Sequence, residues 1–316
     1  MKSYGGVQNQ VNSINSYLNK QENFNSRIAA PGSDDFDIGK TINIPFNGSV
    51  SPVCLFPIKE KLSEALNWAD VIHIHEPFVP LIFWRIPKSK NYIFTHHASL
   101  NNFICFLLSI IYKFTRRNGI STYVSKLSKN NALALNKEPY LIPNMFYLDT
   151  NVDFQLRKQY LFIGRDEKRK NLKLYEKYVE KFYDSEFKYS VITNRLIKNK
   201  NISTFINPNE DDKNKILKNS DIYLALNTHG ESFGITLIEA INSGNIVISS
   251  NIDAFLNLLG DSGVYFKNNS LTSLNQVIEM VKNKDLTNIW IKQKDYIEKY
   301  DINKNMQKLI SLYLKI

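Results

Sequence analysis

Residues 230 to 240 read Gly-Glu-Ser-Phe-Gly-Ile-Thr-Leu-Ile-Glu-Ala. The string follows an apolar run at 222–226 and opens a helical pattern. Helix N-termini present unpaired N–H groups and the positive end of a dipole, which suit a phosphate. Phe233, Gly234 and Ile235 stand where those N–H groups would lie, and a glycine at 234 lets a ligand approach the backbone closely. Glu231 precedes the helix and suits sugar hydroxyls. Glu239 comes about a turn inside it and suits ribose hydroxyls. Acids are also favoured at helix starts for structural reasons alone; the whole string, not either carboxylate, carries the functional reading.

A second group is Gly164-Arg165-Asp166-Glu167-Lys168-Arg169-Lys170, just after an apolar run at 160–163. In parallel sheets the carboxyl ends of strands face the ligand crevice. Arg165 and Lys170 there would neutralise a diphosphate leaving group; a solvated basic turn is the plainer alternative. Arginine is scarce in this chain, 8 against 32 lysines, which favours a specific use. His96-His97 also follow a strand pattern, and His97 in a cleft would hydrogen-bond a sugar. His73-x-His75-Glu76 alternates so that both imidazoles share one strand face. Such a set could ligate metal, but no third ligand of matching placement is evident, and the reading is no metal site. Gly5-Gly6 is compatible with a phosphate-approach turn, on slender evidence.

The elements that must position these residues alternate short apolar strands with amphipathic helices, the mark of parallel α/β architecture. In the first half, strands are expected near 28–30, 41–44, 71–74, 92–95, 121–124 and 140–142. Helices are expected near 8–20, 57–67, 100–114 and 127–135. The second half gives strands near 160–163, 189–192, 203–206, 222–226, 246–249 and 264–266. Helices there fall near 172–182, 211–218, 236–243, 254–259 and 272–281. That is a full doubly wound domain. Residues 286–316 read as helical, with apolar positions at Ile302, Met306, Leu309, Ile310 and Tyr313. The break between halves falls at 146–158. A doubly wound domain ordinarily opens with a strand feeding its glycine turn. No room for one precedes Gly5-Gly6, so the leading strand is expected to be missing here; an upstream start, a truncated product and a defective first sheet all fit.

The 316 residues, 43% hydrophobic and 22% charged, suit a globular protein with a normal core. The net charge of +10 divides evenly between the halves, which argues against a dedicated nucleic-acid face. Cys54 and Cys105 are too few for a disulfide framework and sit among apolar residues, so buried free thiols are expected. The start, MKSYGGVQNQ, has no signal-peptide core, and the longest apolar run, 103–112, is too short to span a bilayer. The stretch 102–117 runs apolar and then basic, ending in Lys113, Arg116 and Arg117. An interfacial helix and an ordinary sheet-packed helix fit it equally.

These residues together resemble glycosyltransferase family 4, and within it the phosphatidylinositol mannosyltransferases of actinobacteria. The likeness runs through Gly5-Gly6-Val7-Gln8, Ile44-Pro45-Phe46-Asn47-Gly48-Ser49-Val50, Val71-Ile72-His73-Ile74-His75-Glu76-Pro77 and Ile142-Pro143-Asn144. It continues through Gly164-Arg165 to Lys170, Glu231 to Glu239, Asp253-Ala254-Phe255 and Lys299-Tyr300-Asp301.

The resemblance implies a GT-B fold: two Rossmann-like doubly wound domains facing a central cleft, with a C-terminal helix crossing back to the first. Residues 1–150, joined by helix 299–316, would bind the acceptor; residues 151–298 would bind a nucleotide sugar. By the resemblance, Gly6 meets the donor phosphate or sugar, and Gln8, Asn47 and Ser49 lie on the acceptor side. His97 lies beside the transferred sugar, Arg165 and Lys170 hold the diphosphate, Glu231 touches the sugar and Glu239 the ribose. Phe233, Gly234 and Ile235 complete the donor site. The implied reaction is retaining transfer of mannose from GDP-mannose to a phosphatidylinositol-type lipid, by a peripheral protein at the cytoplasmic face of the membrane. No resident cofactor is implied; Mg²⁺ accompanying the diphosphate is compatible. A UDP-sugar transferase acting on another glycan acceptor, an inactive nucleotide-binding relic and a sugar-nucleotide epimerase are the alternatives.

Overall fold

The computed structural model describes residues 6–46, 49–78, 85–98, 100, 102–115, 118–231 and 233–316, with backbone only at 44–46, 49–51, 102 and 113–115. It divides into two units. One runs to Tyr147 and takes in Tyr300–Ile316; the other is Leu148–Lys299.

The second unit is built on a six-stranded parallel sheet. Its strands lie in the order Ile202–Ile206, Lys188–Thr193, Gln159–Ile163, Ile222–Ala225, Ile246–Ser250, Val264–Phe266. Numbered along the chain, that is 3-2-1-4-5-6, a doubly wound order whose direction reverses between the first and fourth strands. Successive side chains alternate between sheet faces. Tyr160, Phe162, Val191, Leu224 and Ile248 therefore share a core with helices Leu172–Phe182 and Leu271–Lys282. Helices Ile235–Asn242 and Leu286–Ile297 cover the opposite face, where Trp290 Nε1 donates to the Ile241 carbonyl at 3.0 Å.

The first unit carries a four-stranded parallel sheet, Val71–His75, Asn91–His96, Gly119–Tyr123 and Tyr140–Leu141, in chain order. Among the described residues Val71–His75 pairs on one side only. Ile93 faces a core with helix Gly6–Leu18, which buries Gln10, Ile14 and Leu18 at helical spacing, and with helix Ile302–Tyr313. Tyr92 and Phe94 face the other way, onto Leu62 and Leu66 of helix Lys59–Trp68.

Three details differ from the sequence reading. Strands Ala29–Ala30 and Phe36–Asp37 pair with each other and stand outside the main sheet. Ile42–Phe46 pairs antiparallel with Ser49–Val53, a strand the alternating pattern did not suggest. The C-terminal helical stretch is broken: Leu286–Ile297 ends, a single turn spans Glu298–Tyr300, and Asp301 caps the next helix by accepting from Lys304 N–H at 3.1 Å. The break falls where the chain passes from one unit to the other. Of the cysteines, Cys105 is buried and Cys54 keeps partial exposure; both are free thiols.

Two buried glutamines satisfy backbone groups left without a partner, one at a sheet strand and one in the segment after Tyr140–Leu141. Strand Val264–Phe266 reaches only Ile248–Ser250, leaving Val247 short of a ladder partner on that side. Gln293 fills the gap: its Oε1 accepts from Val247 N–H at 2.8 Å and its Nε2 donates to Val247 O at 2.9 Å. Gln10 does the same for Met145, at 2.7 and 2.8 Å. Replacing Gln293 with alanine strands a buried donor and acceptor, each costing about 1–3 kcal/mol. Urea denaturation of Gln293→Ala is expected to show a loss of about 2–6 kcal/mol; a loss under about half of one would mean that water or a neighbour takes over both bonds.

Candidate functional site

In the second unit, strands Gln159–Ile163 and Ile222–Ala225 pair over only two residues, Tyr160 with Ile222 and Leu161 with Tyr223. Beyond that they diverge, and the loops after their carboxyl ends meet. Those loops are the two groups singled out in the sequence. They are stitched by backbone: Thr228 N–H donates to Arg169 O at 2.8 Å, and Arg169 Nη1 reaches Gly230 O at 3.4 Å. Gly164 begins the first loop in a tight place. A Cβ there would stand 2.9 Å from Phe162 Cζ and 3.1 Å from Lys170 Cβ.

At their junction Lys170 Nζ donates to Glu231 Oε2 at 2.9 Å, and Asn227 Nδ2 donates to the same oxygen at 2.9 Å. Both charged side chains are mostly covered, at 17% and 18% exposure. Burial alone would raise the Glu231 pKa; the Lys170 charge and hydrogen bond, with help from Arg169 and the Phe233 N–H, outweigh it and lower it overall. Glu231 is thus held ionised. Arg165 is 60% exposed and reaches Glu167 at 3.5 Å, while Arg169, which sequence reasoning passed over, bonds Glu167 at 2.8 Å.

Helix Ile235–Asn242 starts immediately beyond. Gly234 is its N-cap at φ +96, a left-handed conformation, and a Cβ would press on Phe255 at 3.1 Å. The N–H groups of the helix's first residues have no partner within the helix by their position. Phe233 is buried and its N–H is taken by Glu231, so of the expected phosphate-facing trio Phe233 is engaged in this structure. Glu239 sits inside the helix with its carboxylate on Lys213 at 3.1 Å. Ser232 lies outside the described residues.

The first unit gathers a different chemistry. His97 follows strand Asn91–His96; its Nε2 meets His75 Nδ1 at 2.9 Å, the rings stacked at 29°. His73 Nδ1 meets Tyr313 Oη at 2.7 Å and its Nε2 meets Thr95 Oγ1 at 2.6 Å. Glu76 adopts φ +54, unusual for a non-glycine, and its carboxylate accepts the N–H groups of both His97 and Ala98. That holds the turn carrying His97. The His73-x-His75-Glu76 set is therefore committed to protein partners, and among the described residues no group of three or more His, Cys, Asp or Glu is arranged to hold a metal. Asn144 is buried beside His97. Gly6 is exposed at the first residue of its helix, and Gln8 is half-buried two residues on. Ser49 opens strand Ser49–Val53, described by backbone alone. Gly5, Asn47 and Gly48 lie outside the described residues. Asn227 is what site prediction missed; it stands just past the carboxyl end of its strand, and nothing in its type alone set it apart. His75 and Glu76, weighed in the sequence only as metal ligands, instead support His97 and its turn.

The fold is similar to that of solved glycosyltransferases. By structure the chain is similar to a glycosyltransferase from Rickettsia africae, with TM-score 0.71, 16% identity, and 98% of this chain and 95% of that one covered. HepE of Anabaena, solved with UDP and glucose, is similar at TM-score 0.61 and 11% identity, covering 81% and 82%. More narrowly, residues 152–300 match the family model described as glycosyl transferases group 1. The phosphatidyl-myo-inositol mannosyltransferase of Mycobacterium leprae is 28% identical over 299 residues, 82% of this chain and 78% of that protein.

The histidine cluster has a measurable consequence. Packing pushes the imidazoles down from their ordinary 6.5: His97 to about 4, with Asn144 opposing, and His73 and His96 to about 3. His75 is pushed well below as well, by burial first and then by its histidine neighbours. The unfolded chain takes up protons below pH 6.5 that the folded cluster refuses until about pH 4. Stability is therefore expected to fall as pH drops through that window, beginning above the ordinary carboxylate range. Thermal melts at descending pH check it; a flat midpoint between pH 6.5 and 5 would mean the imidazoles are already charged in the folded protein.

Proposed function

We propose that this chain transfers mannose from GDP-mannose to a phosphatidylinositol-type lipid, with retention of anomeric configuration, at the inner face of the cytoplasmic membrane. The observation that carries the reading is the Lys170–Glu231–Asn227 junction at the reversal point of the second unit's sheet, beside the start of helix Ile235–Asn242. An anionic diphosphate suits that place, where cations and helix N–H groups converge. The relatives named phosphatidyl-myo-inositol mannosyltransferase support the sugar and acceptor.

In this reading the second unit binds the donor. Arg165 and Lys170 stabilise the departing diphosphate, Glu231 holds the sugar, Glu239 the ribose, and Gly234 and Ile235 offer N–H groups to phosphate. The first unit binds the acceptor through Gln8, Asn47 and Ser49, with Gly6 meeting the donor and His97 the transferred sugar. The acceptor hydroxyl attacks the anomeric carbon from the face the diphosphate leaves. The carbon–phosphate-oxygen bond breaks as the new glycosidic bond forms, and the hydroxyl proton passes to the departing phosphate oxygen. No side chain forms a covalent intermediate, so rate enhancement comes from orientation and charge stabilisation. A UDP-sugar donor is the second reading, favoured by the likeness to the Anabaena protein solved with UDP and glucose.

The test is transfer from GDP-mannose to vesicles with and without phosphatidylinositol, with UDP-sugars in parallel and chelator added in one arm. Transfer from GDP-mannose that needs phosphatidylinositol is the expected result; turnover only with UDP-sugars would replace the donor. Lys170→Ala is expected to lower kcat about a hundredfold, with folding checked by circular dichroism because Glu231 loses its partner. Glu239→Ala is expected to raise the KM for donor while leaving kcat within a few-fold, and unchanged donor affinity would remove it from the ribose.

A further inference from the structure

The even division of charge between the halves conceals one strongly biased stretch. From Pro77 to Lys137 there is no aspartate or glutamate, while Arg85, Lys88, Lys90, Lys113, Arg116, Arg117, Lys126, Lys129 and Lys137 all fall within it. Within this stretch lies helix Asn102–Thr115. Cys105 and Tyr112 are its buried side, and it packs beside helix Lys129–Leu135. At about 100° per residue, Phe103, Ile104, Phe106, Leu107, Ile110 and Ile111 sweep an uninterrupted arc of about 160°. All six are exposed, Phe103 by 69% and Phe106 by 61%. On the neighbouring helix Leu133 is exposed too, and Lys126 and Lys129 at its start are exposed cations.

A face with no polar residue across its width is unlike the mixed rim of a protein–protein contact. Paired with a surrounding sequence of one charge sign, it has the composition of an amphipathic helix that sinks into the headgroup layer of an anionic bilayer. Helix Lys59–Trp68 is a poorer candidate. Its Lys59 and Lys61 are offset by Glu60 and Glu64, and Lys61 is already paired with Glu64 at 3.0 Å. No helix among the described residues is long and apolar enough to cross a membrane, so a surface contact is the form available to them.

We infer that helix Asn102–Thr115 is the membrane-contacting surface of this protein, seating its exposed apolar arc among anionic phospholipids. The inference deepens the lipid-acceptor reading and rests on it for why a membrane is approached at all.

Flotation of the full chain with vesicles tests it. Binding is expected to vesicles containing phosphatidylglycerol and not to pure phosphatidylcholine, weakening at high salt. A Phe103→Ser/Phe106→Ser/Leu107→Ser variant is expected to bind at least about tenfold more weakly. Its melting temperature should stay near wild type, because the changed side chains are already in solvent. Lys59→Glu/Lys61→Glu is expected to bind as wild type. The inference is overturned by absent binding of the wild type, by undiminished binding of the triple variant, or by loss of binding in the lysine variant alone. It is equally overturned if sedimentation shows a dimer that the triple variant splits, which would make the arc a contact between two copies. Stabilisation by GDP-mannose or UDP-sugars, measured without vesicles, keeps the two readings apart. If it is present while flotation fails, the transferase stands and the surface falls; if it is absent while flotation succeeds, the reverse holds.

Discussion

The Lys170–Glu231 junction depends on a short pairing: two residues of ladder between strands Gln159–Ile163 and Ile222–Ala225. So brief a contact needs an anchor, and Asp221 provides it. Its carboxylate accepts the N–H groups of Arg157, Lys158 and Gln159 at 3.0, 3.0 and 2.6 Å, fixing the entry of one strand to the start of the other. Burial raises the Asp221 pKa more than those three donors lower it. The charge is costly there, and its geometric service explains its presence. Held together at the base, the strands part toward their carboxyl ends before their loops meet. The doubly wound order sends the following helices to opposite faces, so the gap between the two loops stays uncovered by either.

The two units meet the problem of buried polarity in opposite ways. In the second, Glu231 is kept ionised by Lys170 and Arg169, and Glu239 is paired with Lys213 at 3.1 Å. In the first, four imidazoles are kept neutral by packing and bonded mainly to one another and to hydroxyls. His96 is the extreme case, buried with both ring nitrogens lacking a partner, its ring against Phe78. A neutral imidazole can present either a donor or an acceptor to a sugar hydroxyl, which an imidazolium cannot. The Glu76 backbone at φ +54 belongs to the same arrangement, because that conformation aims its carboxylate at the N–H groups of the His97 turn.

Legibility in the sequence followed the range of the interactions. Strands and helices of the second unit were visible because burial imposes a period on the residues themselves, and the loops bearing Lys170 and Glu231 stood out through glycines and charge. What was missed joins residues far apart. Nothing near Gln10 or Gln293 announces that their amides complete the hydrogen bonding of Met145 and Val247, 135 and 46 residues away. Asn227 lies in a run indistinguishable from any strand end until Glu231 is placed beside it. The hairpin Ile42–Phe46/Ser49–Val53 did carry a local signal, an Asn-Gly pair between two apolar-alternating runs. That signal is weakened by Pro45 and Pro52, which lack a backbone N–H for a ladder, and by a surrounding pattern that favours parallel strands.

The charges around Glu231 bear on how the proposed donor site is held in place. Lys170 and Arg169 both act on this one carboxylate, and Arg169 is shared with Glu167. The junction is therefore satisfied without an anion, yet it keeps the cations at fixed distance instead of neutralising them in a tight bidentate pair: Lys170 gives one hydrogen bond to one oxygen, and Asn227 takes part of that oxygen's capacity. An entering diphosphate would find the lysine positioned and with two of its three donors uncommitted to Glu231. The cost of ordering a long cationic side chain is met in folding and does not recur on binding, which is the physical content of a preorganised site.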